Sequence, residues 1–176
     1  AKKPGKEQSL EFNINYKILD IKSNTKKKCE SILKKIDIDK NRNIVCLHVR
    51  DSKFRKDQGK KDYRNSNINN YIKSIKYLIK KDYQVVRLGR APSRKINFKN
   101  KNFFDYSASK VQSDEMDLFL IKKSKFYIGT QSGILDVAYM FNKPVLTTNM
   151  VEMFNGFPRK INDRGIFKKI LKKNGE

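Results

Sequence analysis

The stretch Ile44-Val45-Cys46-Leu47-His48-Val49-Arg50-Asp51 decides how the chain is read. An unbroken apolar run, rather than an alternating one, is what a strand needs when helices cover both of its faces. This run ends abruptly in His48, Arg50 and Asp51, which puts polar chemistry at the carboxyl end of a strand. Open parallel sheets bind ligands in the crevice outside those ends, and a guanidinium fork there suits a phosphate or a carboxylate. The expected ligand is an anion.

Outward from this strand, placed at residues 44–49, helices and strands alternate. On the N-terminal side, Thr25 is positioned to cap a helix whose apolar stripe is Cys29, Ile32, Leu33 and Ile36. Before it lies a polar lead-in in which Phe12-Asn13-Ile14-Asn15-Tyr16 alternates like a short edge strand. On the C-terminal side, residues 51–66 are rich in Lys, Asp, Gly and Asn, without apolar periodicity. They form a loop long enough to serve function, expected to close over a ligand. Ser66 or Asn67 then caps a helix carrying Ile68, Tyr71, Ile72, Ile75, Leu78 and Ile79. A strand at 83–88 follows, broken by Gly89 to Arg94. Phe103-Phe104 makes a short strand ending at Asp105, and Ser113 caps a helix from Asp114 to Lys123. Phe126-Tyr127-Ile128 is a strand running into Gly129-Thr130-Gln131-Ser132-Gly133 and a helix through Leu135, Ala138 and Phe141. Residues 144–148 close the series, and the tail ends in a short amphipathic helix around Ile166 to Leu171.

Strand alternating with helix at this spacing implies right-handed crossovers. The fold class is therefore α/β, a Rossmann-like parallel sheet with helices on both faces. Residues 1–40 are read as a lead-in with one helix, 41–150 as the Rossmann-like domain and 151–176 as the tail. No internal repeat is visible.

Composition narrows the function. The 176 residues suffice for one domain with a sizeable core. No apolar segment follows the charges of residues 1–6, and no run is long enough to cross a bilayer. The absence of an initiator Met fits either processing or a piece of a longer protein. Cys29 and Cys46 lack the spacing of a zinc or redox pair, and with the single His48 they cannot assemble an ordinary zinc site, so no metal is expected. Reduced thiols point to the cytoplasm. The formal net charge of +23 attracts phosphate in general. The basic residues are nevertheless scattered in pairs such as Lys80-Lys81 and Lys122-Lys123 at expected helix C-termini, where cations complement the dipole. No nucleic-acid module is present, so no specific nucleic-acid partner is expected. Attraction to an anionic membrane surface is an accessory property, consistent with a location peripheral to the inner membrane.

The Gly129-Thr130-Gln131-Ser132-Gly133 turn is the second informative feature. Glycines allow close backbone approach, and the following helix offers free N–H groups at its positive end, which can hold a diphosphate. Thr130 and Ser132 could add hydrogen bonds, or serve simply as helix caps. Parallel strands bring the ends of 44–49 and 126–128 to one edge, so Arg50 faces this turn. A guanidinium and several backbone donors stabilise a departing nucleoside diphosphate.

At this point the residues are similar to a known family. His48-Val49-Arg50-Asp51, Tyr83 to Gly89, and Asp114 to Pro144 with Asp117-Leu118-Phe119-Leu120, Phe126-Tyr127-Ile128-Gly129-Thr130 and Ala138-Tyr139, resemble a bacterial glycosyltransferase family distantly similar to fucosyltransferases. The resemblance implies the C-terminal, donor-binding half of a GT-B enzyme that acts without a metal or other cofactor on a nucleotide-diphosphate sugar. It gives Arg50 the donor diphosphate, Asp117 the base, and Ser132 with Thr130 and Gly133 the phosphate turn. It suggests a GDP-linked donor and a glycan or lipid-linked acceptor. Gly89-Arg90 stands where the fucosyltransferases carry an acidic pair, which separates this chain from GDP-fucose itself. The lead-in is too short for an acceptor domain, so the chain reads as half an enzyme.

The remaining candidates keep two readings each. His48 contacts the donor or moves a proton, or else holds the adjacent loop. Asp51 orients Arg50 or takes part in catalysis. Asp114 is a helix-start charge or a ligand. Asp105 is a candidate for ribose or acceptor contact, and Gly89 and Gln131 border the same edge. Arg87 and Arg90 either line the anionic site or are solvated at the surface. Two other functions compete: a non-catalytic module binding nucleotide sugars or anionic glycans, and a basic nucleic-acid-binding domain.

Overall fold

The computed structural model describes residues 19–36, 38–39, 41–51, 62–90, 94–151 and 158–169. The alternating stretch 12–16 and most of the loop 51–66 lie outside the described residues, as does the end of the expected tail helix. Six strands, β1 (Ile44–His48), β2 (Gln84–Leu88), β3 (Phe103–Phe104), β4 (Phe126–Thr130), β5 (Val145–Met150) and β6 (Arg164–Phe167), form one sheet in the order β3-β2-β1-β4-β5-β6. Every pairing between these strands is parallel. Among the described residues four α-helices accompany them: α1 (Ser23–Lys35), α2 (Ile72–Lys80), α3 (Asp114–Lys123) and α4 (Gly133–Met140). This is the Rossmann-like α/β architecture expected from the sequence.

The period-two geometry of β1 explains its uninterrupted apolar run. Ile44 and Cys46 join Val86, Leu88, Tyr127 and Val145 under α1, α3 and α4, where Cys29, Leu33, Met116, Leu120, Leu135 and Ala138 complete one core. Val45 and Leu47 face the other way, joining Val85 and Ile128 against Ile68, Tyr71, Ile75 and Leu78 of α2 and the turn before it. Helix α1, placed in the lead-in on sequence grounds, thus buries Cys29 and Leu33 in the main core.

Local signals behave largely as anticipated. Ser113 caps α3, its side chain accepting from the Met116 N–H at 3.2 Å. Asn67 accepts from the Asn69 N–H at 3.1 Å, and the first turn after it, Ile68–Tyr71, is a 3-10 turn leading into α2. Thr25 is not a cap: α1 begins two residues earlier, after Lys22, without a side-chain capping bond.

The larger correction concerns the tail, where residues 164–167 are strand and not the approach to a helix. Strand β5 would otherwise present an open edge, and residues 164–167 pair with it in parallel. Gly165 permits this: a side chain there would begin 2.5 Å from the Met150 sulfur. The turn before β6 is held by Asp163, which is buried (3% exposed). Its Oδ1 accepts the Val145 N–H at 2.9 Å, and its Oδ2 accepts the Arg159 and Lys160 N–H groups at 3.1 and 2.9 Å.

Hydrogen bonds to a charged acceptor contribute about 1.5–3 kcal/mol each, and the three donors here lose their acceptor together. Asp163→Ala is expected to lower the urea midpoint by the equivalent of about 2–4 kcal/mol with an unchanged m-value, and Asp163→Asn by less. An Asp163→Ala midpoint equal to the parent's would show that the turn does not anchor the edge.

Candidate functional site

Strand order supplies the first fact about the site. From β1 the chain steps outward through β2 to β3, and from β4 it steps the opposite way through β5 to β6. The reversal lies between β1 and β4, and the crevice outside the strand ends at such a switch point is where open α/β sheets bind ligands. His48 stands in register with Gly129 across this pair. The two polar segments singled out in the sequence, 48–51 and 129–133, therefore meet at the crevice.

They meet through hydrogen bonds. The Arg50 N–H donates to Thr130 Oγ1 at 2.9 Å, which ties the end of β1 to the end of β4. The Arg50 side chain donates from Nε to Asn65 Oδ1 at 3.3 Å, and its carbonyl accepts the Ser66 N–H at 3.0 Å. Ser132 Oγ lies 3.2 Å from His48 Nδ1 and donates to the Thr130 carbonyl at 3.2 Å. Ser132 has one hydroxyl proton, and the carbonyl can only accept. Both contacts are satisfied when Nδ1–H donates to Ser132 and Nε2 carries the lone pair.

Burial pushes the His48 imidazole down to about 4. Asp51 opposes this by its charge, while Arg87 and Arg50 reinforce it. The ring is neutral at physiological pH, an acceptor at Nε2 beside a permanently charged guanidinium. Gly89 closes the site on the β2 side. Its φ of +130° lies in the range that favours glycine, and a side chain there would begin 3.6 Å from the His48 ring.

The phosphate turn works differently from its sequence reading. Gly129 lies within β4, and the space beside it is filled by the Tyr127 ring, 2.6 Å from where a side chain would begin. It serves packing. Gly133 opens α4, and nothing lies within 4 Å of the position a side chain would take. Ser132 occupies the N-cap position, yet its hydroxyl makes no capping bond. Because that hydroxyl is engaged with His48 and Thr130, the Gly133 and Ile134 N–H groups at the start of α4 have no side-chain cap and can donate to another partner, while the Leu135 N–H donates to the Ser132 carbonyl at 3.0 Å.

The remaining candidates divide. Asp51 lies close enough to His48 to act on its ionisation. Gln131 is buried and its Oε1 accepts the Val151 N–H at 2.8 Å, a structural tie between the ends of β4 and β5. Asp105 is engaged inside the protein: Arg87 Nη1 donates to Oδ2 at 2.9 Å and Ser107 Oγ donates to Oδ1 at 2.5 Å. Arg87 itself is 2% exposed, so neither the anionic cleft nor surface solvation describes it. Arg90 pairs with Asp114 at the surface. Asp117 sits behind that pair in the first turn of α3. Its Oδ2 accepts from Gln112 at 3.1 Å, and its buried Oδ1 has no hydrogen-bond partner among the described residues. Burial pushes its carboxyl up to about 6, with Asp114 adding to the rise and Gln112 and Arg90 opposing it.

A further group of residues was not singled out in the sequence. Asn149 has a φ of 51° and donates from Nδ2 to Ser66 Oγ (2.7 Å) and Tyr71 Oη (3.0 Å). The Tyr71 hydroxyl lies 2.7 Å from Thr148 Oγ1, which donates to the Gly129 carbonyl at 3.3 Å. Lys168, just beyond β6, donates to the carbonyls of Tyr63 and Asn65 at 2.6 and 3.0 Å. The signal was present: Val145-Leu146 passes into Thr147-Thr148-Asn149 as β1 passes into its polar end.

No protein family's profile matches the chain, and no curated protein does. Solved structures do. The ADP-heptose lipopolysaccharide heptosyltransferase II of E. coli superposes with a TM-score of 0.60 at 17% identity, over 84% of this chain and 44% of that one. A family 9 glycosyltransferase from Veillonella parvula superposes with a TM-score of 0.59 at 10% identity, over 89% of this chain and 47% of that one. The chain thus spans a little under half the length of each. At these identities the likeness shows the fold alone, a Rossmann-like α/β unit. Among the described residues no helix is long and apolar enough to cross a membrane.

The two perturbed groups make opposite contributions to stability. His48, ordinarily near 6.5 and about 4 when folded, is protonated first in the unfolded chain. Its contribution is complete above pH 6.5 and is lost as the pH falls toward 4. Asp117, ordinarily near 3.8 and about 6 when folded, keeps its proton longer in the native state. Its contribution is complete below pH 3.8 and is lost as the pH rises through 6. Asp117→Asn is therefore expected to make stability rise with pH more steeply than in the parent across the shared window, by up to about 1.4 kcal/mol per pH unit. Denaturant titrations at several pH values check this, and parallel profiles would refute it. The proton NMR titration of the single imidazole should show it neutral until the pH approaches 4.

Proposed function

We propose that this chain is the donor-binding half of a glycosyltransferase that moves a sugar from a nucleoside-diphosphate donor to a glycan or lipid-linked acceptor. The observation that carries the reading is the convergence, at the β1/β4 switch point, of Arg50 with the uncapped N-terminus of α4. Leaving-group departure from a nucleotide sugar develops negative charge on the diphosphate. Fixed donors aimed at that charge lower the barrier without rearranging as it forms. Arg50 supplies the full positive charge, and the first-turn N–H groups of α4 supply oriented dipoles. Such an arrangement does not call on a metal ion.

His48 is neutral and its Nε2 is the acceptor. It can accept a hydrogen bond from a donor hydroxyl, or take a proton from an acceptor nucleophile delivered by the other half of the enzyme. Asp51 would steady a developing imidazolium. Asp117 would read a ribose hydroxyl or a base N–H in this reading, as the resemblance implies. Asp105 keeps a structural task, holding Arg87 at the end of β2. The chain spans under half of its structural neighbours, so the acceptor site belongs to a further domain or partner in this reading.

The likeness to an ADP-heptose transferase and the resemblance to fucosyltransferases suggest ADP- and GDP-linked sugars as the donors to try first. Calorimetry against ADP-, GDP-, UDP-, CMP- and dTDP-sugars at moderate salt is expected to find one nucleotide preferred. Arg50→Ala should weaken that donor by about tenfold or more, with Arg50→Lys recovering part of the loss. Unchanged affinity in Arg50→Ala would remove the central claim. The net charge of +23 supports a different outcome, salt-dependent binding to an oligonucleotide with no response to any nucleotide sugar, and that result would replace this reading.

A further inference from the structure

The two faces of the sheet differ in charge. On one, α1, α3 and α4 carry Glu30, Asp114, Glu115 and Asp136, and cations pair with three of them: Lys28 with Glu115, Arg90 with Asp114 and Arg159 with Asp136. On the other lie α2 and the connection from β2 to β3, and neither residues 66–81 nor residues 94–102 contain an acidic residue. Asp82, the carboxylate next in sequence after α2, is paired with Arg42 at 2.7 Å. A general excess of lysine raises the charge of both faces alike, but it does not clear the carboxylates from one of them.

Packing turns this face outward as one surface. Helix α2 buries Ile75 and Leu78 against the sheet, which leaves Lys73, Lys76, Tyr77 and Lys80 as its outward stripe, at the helical spacing of three and four. Ile96 and Phe98 of the connection pack on the same core, and beside them Lys95 and Lys99 are exposed. The connection lies against α2: the Asn97 N–H donates to Asn69 Oδ1 at 3.0 Å, and Lys76 Nζ sits 5.9 Å from the centre of the Phe98 ring. Lys81 is exposed with its Nζ 5.9 Å from the Tyr77 ring, and Arg94 and Lys101 are exposed at the two ends of the connection. Among the described residues none of these cations forms an ion pair.

The chemistry of the surface limits its partner. Like charges without counter-charges attract a polyanion. All but Arg94 are lysines, point charges on flexible stems that need no fixed partner geometry, unlike the planar arginine fork that recognises individual phosphates and bases. An outward helix stripe is a ridge, whereas single-stranded nucleic acid binds along a groove with successive stacking rings. Tyr77, 61% exposed, is the one exposed ring on α2 and the connection. Lysine stems lie on apolar material with their heads in water, and a tyrosine ring has an apolar body with a polar tip, so both suit the boundary between lipid headgroups and acyl chains.

We propose that α2 and the connection from β2 to β3 form a docking face for an anionic lipid bilayer, with Tyr77 entering the headgroup layer. The assignment does not rest on the donor reading. Tyr71, at the N-terminal end of α2, accepts from Asn149 and lies 2.7 Å from Thr148 at the end of β5, so a bilayer along α2 would reach the side of the crevice.

The test is flotation of the full chain with vesicles of phosphatidylcholine alone and of phosphatidylcholine mixed with phosphatidylglycerol, at increasing salt. Binding to the anionic vesicles only, weakening as salt rises, is expected. Lys76→Glu combined with Lys80→Glu should weaken it by about tenfold or more. Lys27→Glu combined with Lys123→Glu makes the same charge change at exposed positions of α1 and α3 and should weaken it much less. The chain contains no tryptophan, so Tyr77→Trp supplies a single reporter, whose emission should shift to shorter wavelength on the anionic vesicles. No binding, equal weakening by the two charge pairs, an unshifted emission from bound protein, or tighter binding of an oligonucleotide than of the vesicles at the same salt would each overturn the proposal. None of these measurements involves a nucleotide sugar, so failure of this face and failure of the donor site are told apart.

Discussion

Pairing of β1 with β4 is the constraint on which the rest of the site depends. Each strand alone ends in a short polar segment of no particular geometry. Side by side, in parallel and with His48 opposite Gly129, they deliver a histidine, an arginine and a helix N-terminus to one crevice. The bond from the Arg50 N–H to Thr130 Oγ1 makes that delivery specific, because it fixes the first residues beyond both strands relative to each other. Thr130 is completely buried. Its hydroxyl therefore acts as part of the frame that holds the Arg50 backbone.

A second layer of polar contacts holds this pair in place from either side. Toward β2, the buried Arg87–Asp105 ion pair joins the ends of β2 and β3. A charge so deeply buried must be paired to be tolerated, and here the partner carboxylate is further held by Ser107. Arg87 also helps to keep His48 neutral from a distance. Toward β5, side-chain hydrogen bonds among Asn149, Tyr71, Thr148 and Ser66 link that strand to the turn before α2 and to the end of the long loop, and Lys168 fastens the last residues of the same loop. The described part of the crevice is thus built on strand ends held to one another by hydrogen bonds, an arrangement that holds donors in position before a ligand arrives.

The fold was legible because its determinants are local and periodic. The continuous apolar run in β1, the Ser113 cap and the helical spacing of α2 each state one element, and the alternation of elements then dictates parallel topology. The tail was not legible for the complementary reason. Ile166 and Phe167 suit either a short helix or an edge strand, and the choice was made by β5, whose open edge is a property of the assembled sheet. The site divides in the same way. His48, Arg50 and Ser132 could be seen because a polar group interrupts an apolar pattern. Asn149, Tyr71 and Lys168 could not be connected, since the bonds that give them meaning span about a hundred positions in sequence and exist only after folding. Arg87 was misplaced because a strand pattern does not reveal whether its one cation has found a buried carboxylate.

The charge of the chain and the charge of the site are separate matters. Lysines dominate the total of +23; Lys80 at the end of α2 and Lys123 at the end of α3 are exposed, where salt screens them, while Lys122 donates to the Leu19 carbonyl and lies over the Phe141 ring. The crevice holds one described arginine, a neutral histidine, an acidic residue and oriented peptide dipoles, so the selectivity for a diphosphate proposed for it would rest on geometry more than on net charge. Keeping His48 neutral matters in that balance. A second full cation there would tighten binding of the intact donor and of the departing diphosphate alike, and uniform binding of both does not accelerate transfer. In the function proposed above, a neutral acceptor beside Arg50 would leave the arginine to answer the charge that grows during the reaction, and would keep a lone pair for the proton that the incoming nucleophile must lose.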